Sequence, residues 1–122
     1  MAASAEFLAY LTEMLEPLGP VAARRMFGGA GVFLDGLMFG LVVDDVLYLK
    51  TDDQNRGAFA DAGMGPFRYQ RAGREVALGY YEVPPDALED PDDLADWARG
   101  AWAAARRGGA KPAAGGRRKS KA

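Results

Sequence analysis

The sequence predicts an α+β domain: two layers, one antiparallel sheet with its helices collected on one face. Three observations carry this. Between Arg24 and Lys50, short apolar runs are separated by two-residue turn signals, Asp35-Gly36 and Asp44-Asp45, the spacing of β-hairpins. Near each end, apolar residues instead recur every three to four positions, the period of a helix lying on a core. The resulting order of helix, strands, short helix, hairpin and helix suits a sheet covered from one side.

Ser4 is placed to cap a first helix, in which Phe7, Leu8, Leu11, Met14 or Leu15, and Leu18 recur at helical spacing. Pro17, Gly19 and Pro20 end it, setting its last residue at about Glu16. Gly28-Gly29 then marks a tight turn or bulge between two short strands. Val32-Phe33-Leu34 and Leu37-Met38-Phe39 flank Asp35-Gly36, and Leu41-Val42-Val43 and Val46–Leu49 flank Asp44-Asp45. Asp52 or Asp53 is expected to cap a short helix containing Phe59 and stopped by Gly63. Segments 67–71 and 75–81 form a further hairpin turning at Ala72-Gly73, after which Pro84-Pro85 closes the sheet. Asp90-Pro91-Asp92-Asp93 opens the last helix with a cap, a first-position proline and acids where the helix dipole favours them. Leu94, Trp97, Ala98, Ala101, Trp102 and Ala105 form its apolar stripe, and Arg106-Arg107 suit its C-terminal end.

These 122 residues make one domain. The expected boundaries are 1–107 for the folded body and 108–122 for a disordered tail of Gly, Ala, Pro, Ser, Lys and Arg. There is no cysteine and no histidine, which removes disulfides, thiolate nucleophiles, Cys/His zinc sites and imidazole as a proton shuttle. Enzymatic chemistry would be left to Lys, Tyr, Ser or carboxylates. No apolar run approaches the ~20 residues that cross a bilayer. No basic region precedes the first apolar residues, so a signal peptide is not expected and the default location is the cytoplasm.

Charge is divided unevenly. Residues 1–105 hold all seventeen acids and eight bases, a net −9, whereas 106–122 hold seven bases and no acid. The acidic body repels a polyanion, while the tail favours one.

Several ordered strings now have a joint meaning. Arg25-Met26-Phe27-Gly28-Gly29, Asp35-Gly36-Leu37-Met38-Phe39, Leu47-Tyr48-Leu49-Lys50, Gly65-Pro66-Phe67-Arg68-Tyr69, Tyr80-Tyr81-Glu82-Val83-Pro84 and the Trp97 helix together resemble the TfoX N-terminal domain family over about residues 7–107. The resemblance implies a two-layer α+β fold similar in topology to type III secretion chaperones. It also implies a regulatory role linked to natural competence in a parent protein that has a second, C-terminal domain. Here only the basic tail follows Arg107. The resemblance implies no catalytic residue.

Each chemical motif has a plainer alternative. Gly28-Gly29-Ala30-Gly31 lacks the Lys-Ser/Thr pair and following helix of a P-loop, so a backbone turn is favoured. The pairs Asp44-Asp45, Asp52-Asp53 and Asp92-Asp93 lack the alternation of a calcium loop and suit turns and caps. Tyr48, Tyr69, Tyr80 and Tyr81 read as sheet packing rather than a base-stacking platform on so acidic a body. Arg24, Arg25, Lys50, Arg68, Arg71 and Arg74 read first as a solvated sheet face. As an anion or partner contact, Arg25 and Lys50 are the choices, because both lie inside the family strings. In the tail, Lys111, Arg117, Arg118, Lys119 and Lys121 are the candidates for nucleic-acid contact.

The functional expectation is a non-enzymatic cytoplasmic regulator or protein-interaction module, without cofactor or metal, that forms a homodimer and engages an unidentified protein partner. A small two-layer sheet leaves one face and two edges to be covered. The alternative is a nucleic-acid-associated protein that binds weakly and without sequence preference through the tail.

Overall fold

Six antiparallel strands form one sheet in the order β1-β2-β3-β4-β6-β5. They are β1 (Ala22–Met26), β2 (Gly29–Leu34), β3 (Leu37–Val43), β4 (Val46–Lys50), β5 (Pro66–Arg71) and β6 (Arg74–Glu82). The helices are α1 (Ala5–Met14), α2 (Arg56–Asp61) and α3 (Pro91–Gly109), with a 3-10 turn at Pro85–Glu89. This computed structural model describes residues 3–26, 28–71 and 73–109, with only the backbone at 69–71, 74–78 and 109. The fold is α+β, as the sequence predicts.

The turns form where the sequence places them, for a local reason. Asp35 and Gly36 have φ of 53° and 80°, and Asp44 and Asp45 have 55° and 57°. Positive φ at both central residues is what a twist-matched two-residue hairpin demands, and Asp and Gly tolerate it. A bulge falls between these hairpins, where Val32 pairs Gly40 but Phe33 pairs Met38. The extra residue breaks the alternation, so that Phe39 and Gly40 are both buried.

One face of the sheet is closed by α1 and α3. Leu11 and Leu15, Val32, Val42, Leu47 and Leu49, Phe59 of α2, and Leu94, Ala98, Ala101 and Ala105 of α3 form a single core. The side of α3 against β3 and β4 is mostly alanine, which permits close approach of helix to sheet. Trp102 Nε1 donates to the Leu34 carbonyl at 2.9 Å, tying the helix to the end of β2. Trp97 lies half-buried against Phe59, ring centroids 4.7 Å apart.

Three details differ from the sequence expectation. α1 stops at Met14 rather than Glu16, because Pro17 disfavours helical geometry at the residue before it. α2 begins only at Arg56, without a side-chain cap. The Asp52 carboxylate accepts from the Gln54 amide (2.9 Å), and the Asn55 amide group bridges Asp52 N and the Lys50 carbonyl, so these side chains hold a turn ahead of the helix. A 3-10 turn with Ala87 buried follows Pro84, where the sequence predicts only the end of the sheet. The other two caps form as expected: Ser4 Oγ accepts from Phe7 N at 3.1 Å, and Asp90 Oδ1 accepts from the amides of Asp92 and Asp93.

Leu94 is wholly buried and Trp97 only half. Leu94→Ala is therefore expected to cost about 3 kcal/mol and Trp97→Ala about 2 kcal/mol, measured as shifts in urea midpoint at constant slope. A larger loss at Trp97 than at Leu94 would contradict this packing.

Candidate functional site

Strand alternation sends every second residue to the side that no helix covers. The register makes the pattern explicit, because directly paired residues share a face. Arg24 pairs Gly31, Gly31 pairs Leu41, Leu41 pairs Tyr48 and Tyr48 pairs Glu82. This row crosses five strands on the open face. The next row runs Ala22, Phe33, Met38 on β1 to β3 and Lys50, Tyr80 on β4 and β6.

The open face is largely apolar. A Cβ added at Gly31 would lie 3.0 Å from Met38 Sδ and 3.2 Å from Met26 Cε, so two methionines and Phe33 roof this glycine. Leu41, Val43 and Val46 are half-buried. Tyr48 meets Phe67 edge to face, centroids 5.0 Å apart. Burial, with a smaller contribution from the Glu82 carboxylate, raises the Tyr48 pKa, and burial alone raises that of Tyr80. Both phenols therefore stay neutral at physiological pH. Arg24 rests over the Phe33 ring at 5.0 Å and Lys50 over the Tyr80 ring at 5.3 Å. Neither Arg24 nor Glu82 has an ion-pair partner among the described residues.

Arg25 and Lys50 are not brought together. Arg25 pairs Ala30, a core residue, so it projects toward the helix side, where its Nη1 donates to the Ala3 carbonyl at 2.6 Å. Lys50 projects to the open face, three strands away. The β1 cation that does face the open side is Arg24, not Arg25. Counting outward from the Asp44-Asp45 turn finds Leu41 opposite Tyr48, since Val43 pairs Val46. Glu82 had no such local signal. Lys111, Arg117, Arg118, Lys119 and Lys121 lie outside the described residues, as do the side chains of Arg71 and Arg74.

Elsewhere, a hollow of about 400 Å³ lies between α2 and α3, floored by Phe59 and Trp97 with Asp93 and Asp96 at its rim. It is wide open to solvent. Among the described residues no group of three or more His, Cys, Asp or Glu could hold a metal ion, and no helix is long and apolar enough to cross a membrane.

Comparison with known proteins identifies this arrangement. The family model for the TfoX N-terminal domain matches residues 13–105. The chain belongs to the TfoX N-terminal domain family. It is 32% identical over 71 residues to Protein Sxy of Escherichia coli strain K12, covering 58% of this chain and 34% of that protein. It is 30% identical over 69 residues to DNA transformation protein TfoX1 of Aliivibrio fischeri, covering 57% of this chain and 33% of that protein. The chain thus matches about a third of the length of these curated relatives. In this TfoX N-terminal domain the matched region contains the whole sheet and nearly all of α3.

The far end of α3 is clamped independently. Arg107 donates Nε and Nη2 to the Asp52 carboxylate at 2.6 and 2.8 Å. The Arg107 hydrogen bonds, chiefly, hold the Asp52 carboxyl below its ordinary pKa despite partial burial. A depressed folded value means that the clamp stabilises fully above the ordinary aspartate range, about pH 4, and less as pH falls through the folded value. Asp52→Asn should lower the thermal midpoint at pH 7, and its deficit should shrink as pH falls below the ordinary aspartate range. A deficit that persists undiminished in acid would show that Asp52 acts through packing instead.

Proposed function

We propose that this TfoX N-terminal domain is a non-enzymatic regulatory module that works in the cytoplasm by binding protein through the open face of its sheet. The observation that carries the reading is the apolar row around Leu41, uncovered by any helix of the described chain and flanked by charged side chains. Contiguous apolar surface rimmed by polar groups marks protein interaction sites. Its half-buried Met and aromatic content is that of interface cores. Lys50 belongs to this surface, whereas Arg25 serves the fold. The name of the Aliivibrio relative associates that protein with DNA transformation, and a link to competence is accordingly part of the proposal.

Leu41→Glu places a charge at the centre of the face without touching the core. In the source organism, a chromosomal Leu41→Glu allele is expected to reproduce the effect of deleting the gene on DNA uptake and on transcript levels, with the protein still folded and abundant. Normal regulation by this allele would refute the reading.

A second reading rests on charge. The seven bases of residues 106–122 suit weak, sequence-independent contact with nucleic acid, and the acidic body would repel it. Under that reading the full chain shifts duplex DNA at low salt. The affinity then falls steeply as salt rises, and truncation after Gly109 abolishes the shift. Salt-resistant binding by the truncated chain would overturn both readings.

A further inference from the structure

We propose that the protein seated on the open face is a second copy of this chain, packed sheet to sheet about a two-fold axis that runs parallel to the strands over Leu41. The inference rests on the open face being a protein-binding surface, and it names the occupant.

A two-fold axis that turns a face onto itself must lie in the interface plane. An axis running across the strands would set Arg24 over its own copy and Glu82 over its own copy. An axis along the strands exchanges the two ends of each row instead. Arg24, Gly31, Leu41, Tyr48 and Glu82 follow one another across the strands. With Leu41 at the centre, the cation at one end meets the anion at the other, twice per dimer. The same rotation sets Tyr48, with its partner ring Phe67, over the Met26 and Met38 side chains that roof Gly31. Methionine sulfur against an aromatic ring is a favourable contact.

The adjacent row obeys the same operation. The paired runs Ala22-Phe33-Met38 and Lys50-Tyr80 lie on the same side of the central row and make up the adjacent row across these strands. Rotation about the axis brings Lys50 over Phe33 of the other copy, a cation–π arrangement. It also brings Ala22, the smallest side chain of the row, against Tyr80, and Met38 against itself. Charge and bulk are therefore both antisymmetric about β3, which is what an isologous interface requires. Aligned sheet packing crosses the strands of the two copies at ~30°, which inclines the axis by ~15° to the strands of each. That displaces the row ends by about 5 Å, within the combined reach of an arginine and a glutamate.

The contact is small. Four strand spacings by three rows, with side-chain margins, give about 500 Å² per copy. This is below the ~800 Å² of a standard interface and in the range of weak, transient contacts, so the test spans micromolar concentrations.

The test is sedimentation velocity on the full chain from about 1 to 200 μM, with circular dichroism to confirm folding. The unsubstituted chain is expected to pass from monomer to dimer across this range. Arg24→Glu and Glu82→Arg should each weaken the dimer at least tenfold. The double exchange, or an equimolar mixture of the two single variants, should restore it. Arg24 and Glu82 lie at opposite ends of a row four strand spacings long, ~19 Å, so rescue cannot arise within one chain. Leu41→Glu should leave only monomer. A chain that stays monomeric at 200 μM overturns this inference, while regulatory failure of Leu41→Glu in the cell would still support the protein-binding reading. A dimer that ignores Arg24, Glu82 and Leu41 also overturns it and points to the sheet edges.

Discussion

The position of α3 governs what remains of the sheet surface. Its side of Ala98, Ala101 and Ala105 comes down on β3 and β4, while the Trp102 indole is held by the carbonyl at the end of β2. A helix faced with alanine sits close to a sheet because no long side chain keeps it away. The larger residues, Trp97 and Trp102, lie at its flanks, where Phe59 and the β2 end receive them. With α1 and α2 completing this layer, the helices are all committed to one side. The other side has apolar residues at alternate positions and nothing of the described chain above them.

Two close packings at glycine shape the two faces. On the helix side, a Cβ at Gly40 would meet Val32 Cβ at 3.2 Å and Leu47 Cδ1 at 3.4 Å, so the bulge next to it brings Phe39 into the core without crowding. On the open side, Gly31 leaves a space that Met26, Phe33 and Met38 fill. The outcome is a shallow, adaptable half-face of sulfur and ring carbon beside a stiffer half-face built on Tyr48 and Phe67. Methionine adapts to a partner's shape, and aromatic rings give contact area at low entropic cost. The surface thus pairs an accommodating half with a rigid one.

The charges at the ends of the central row owe their availability to the same alternation. Arg24 and Arg25 are adjacent in sequence and face opposite sides. Arg25 is used by the fold, gripping the Ala3 carbonyl and fixing the entry to α1 beside the Ser4 cap. Ser4 N in turn donates to Asp45 Oδ1 at 2.7 Å, so the start of α1 is tied to the β3–β4 turn as well. Arg24, one position earlier, is held among the described residues by the Phe33 ring. A shift of one residue in the register of β1 would exchange these roles.

The sequence by itself determined the elements and their class. Asp35-Gly36, Asp44-Asp45, Ser4, Asp90-Pro91 and Pro17 act on their own neighbours, through φ preference, a capping oxygen or a missing amide, so their effects can be read without a partner. It also carried enough of the TfoX N-terminal domain pattern to place the family. It favours Arg25 over Arg24, because Arg25 lies inside the family strings and nothing local tells which side of the sheet each will face. Only the tertiary structure decided that, together with the insertion of β6 between β4 and β5 and the alignment of Glu82 with Tyr48. Those outcomes depend on pairing between segments distant along the chain. Such register is set by which face the helices bury, not by any residue's own propensity.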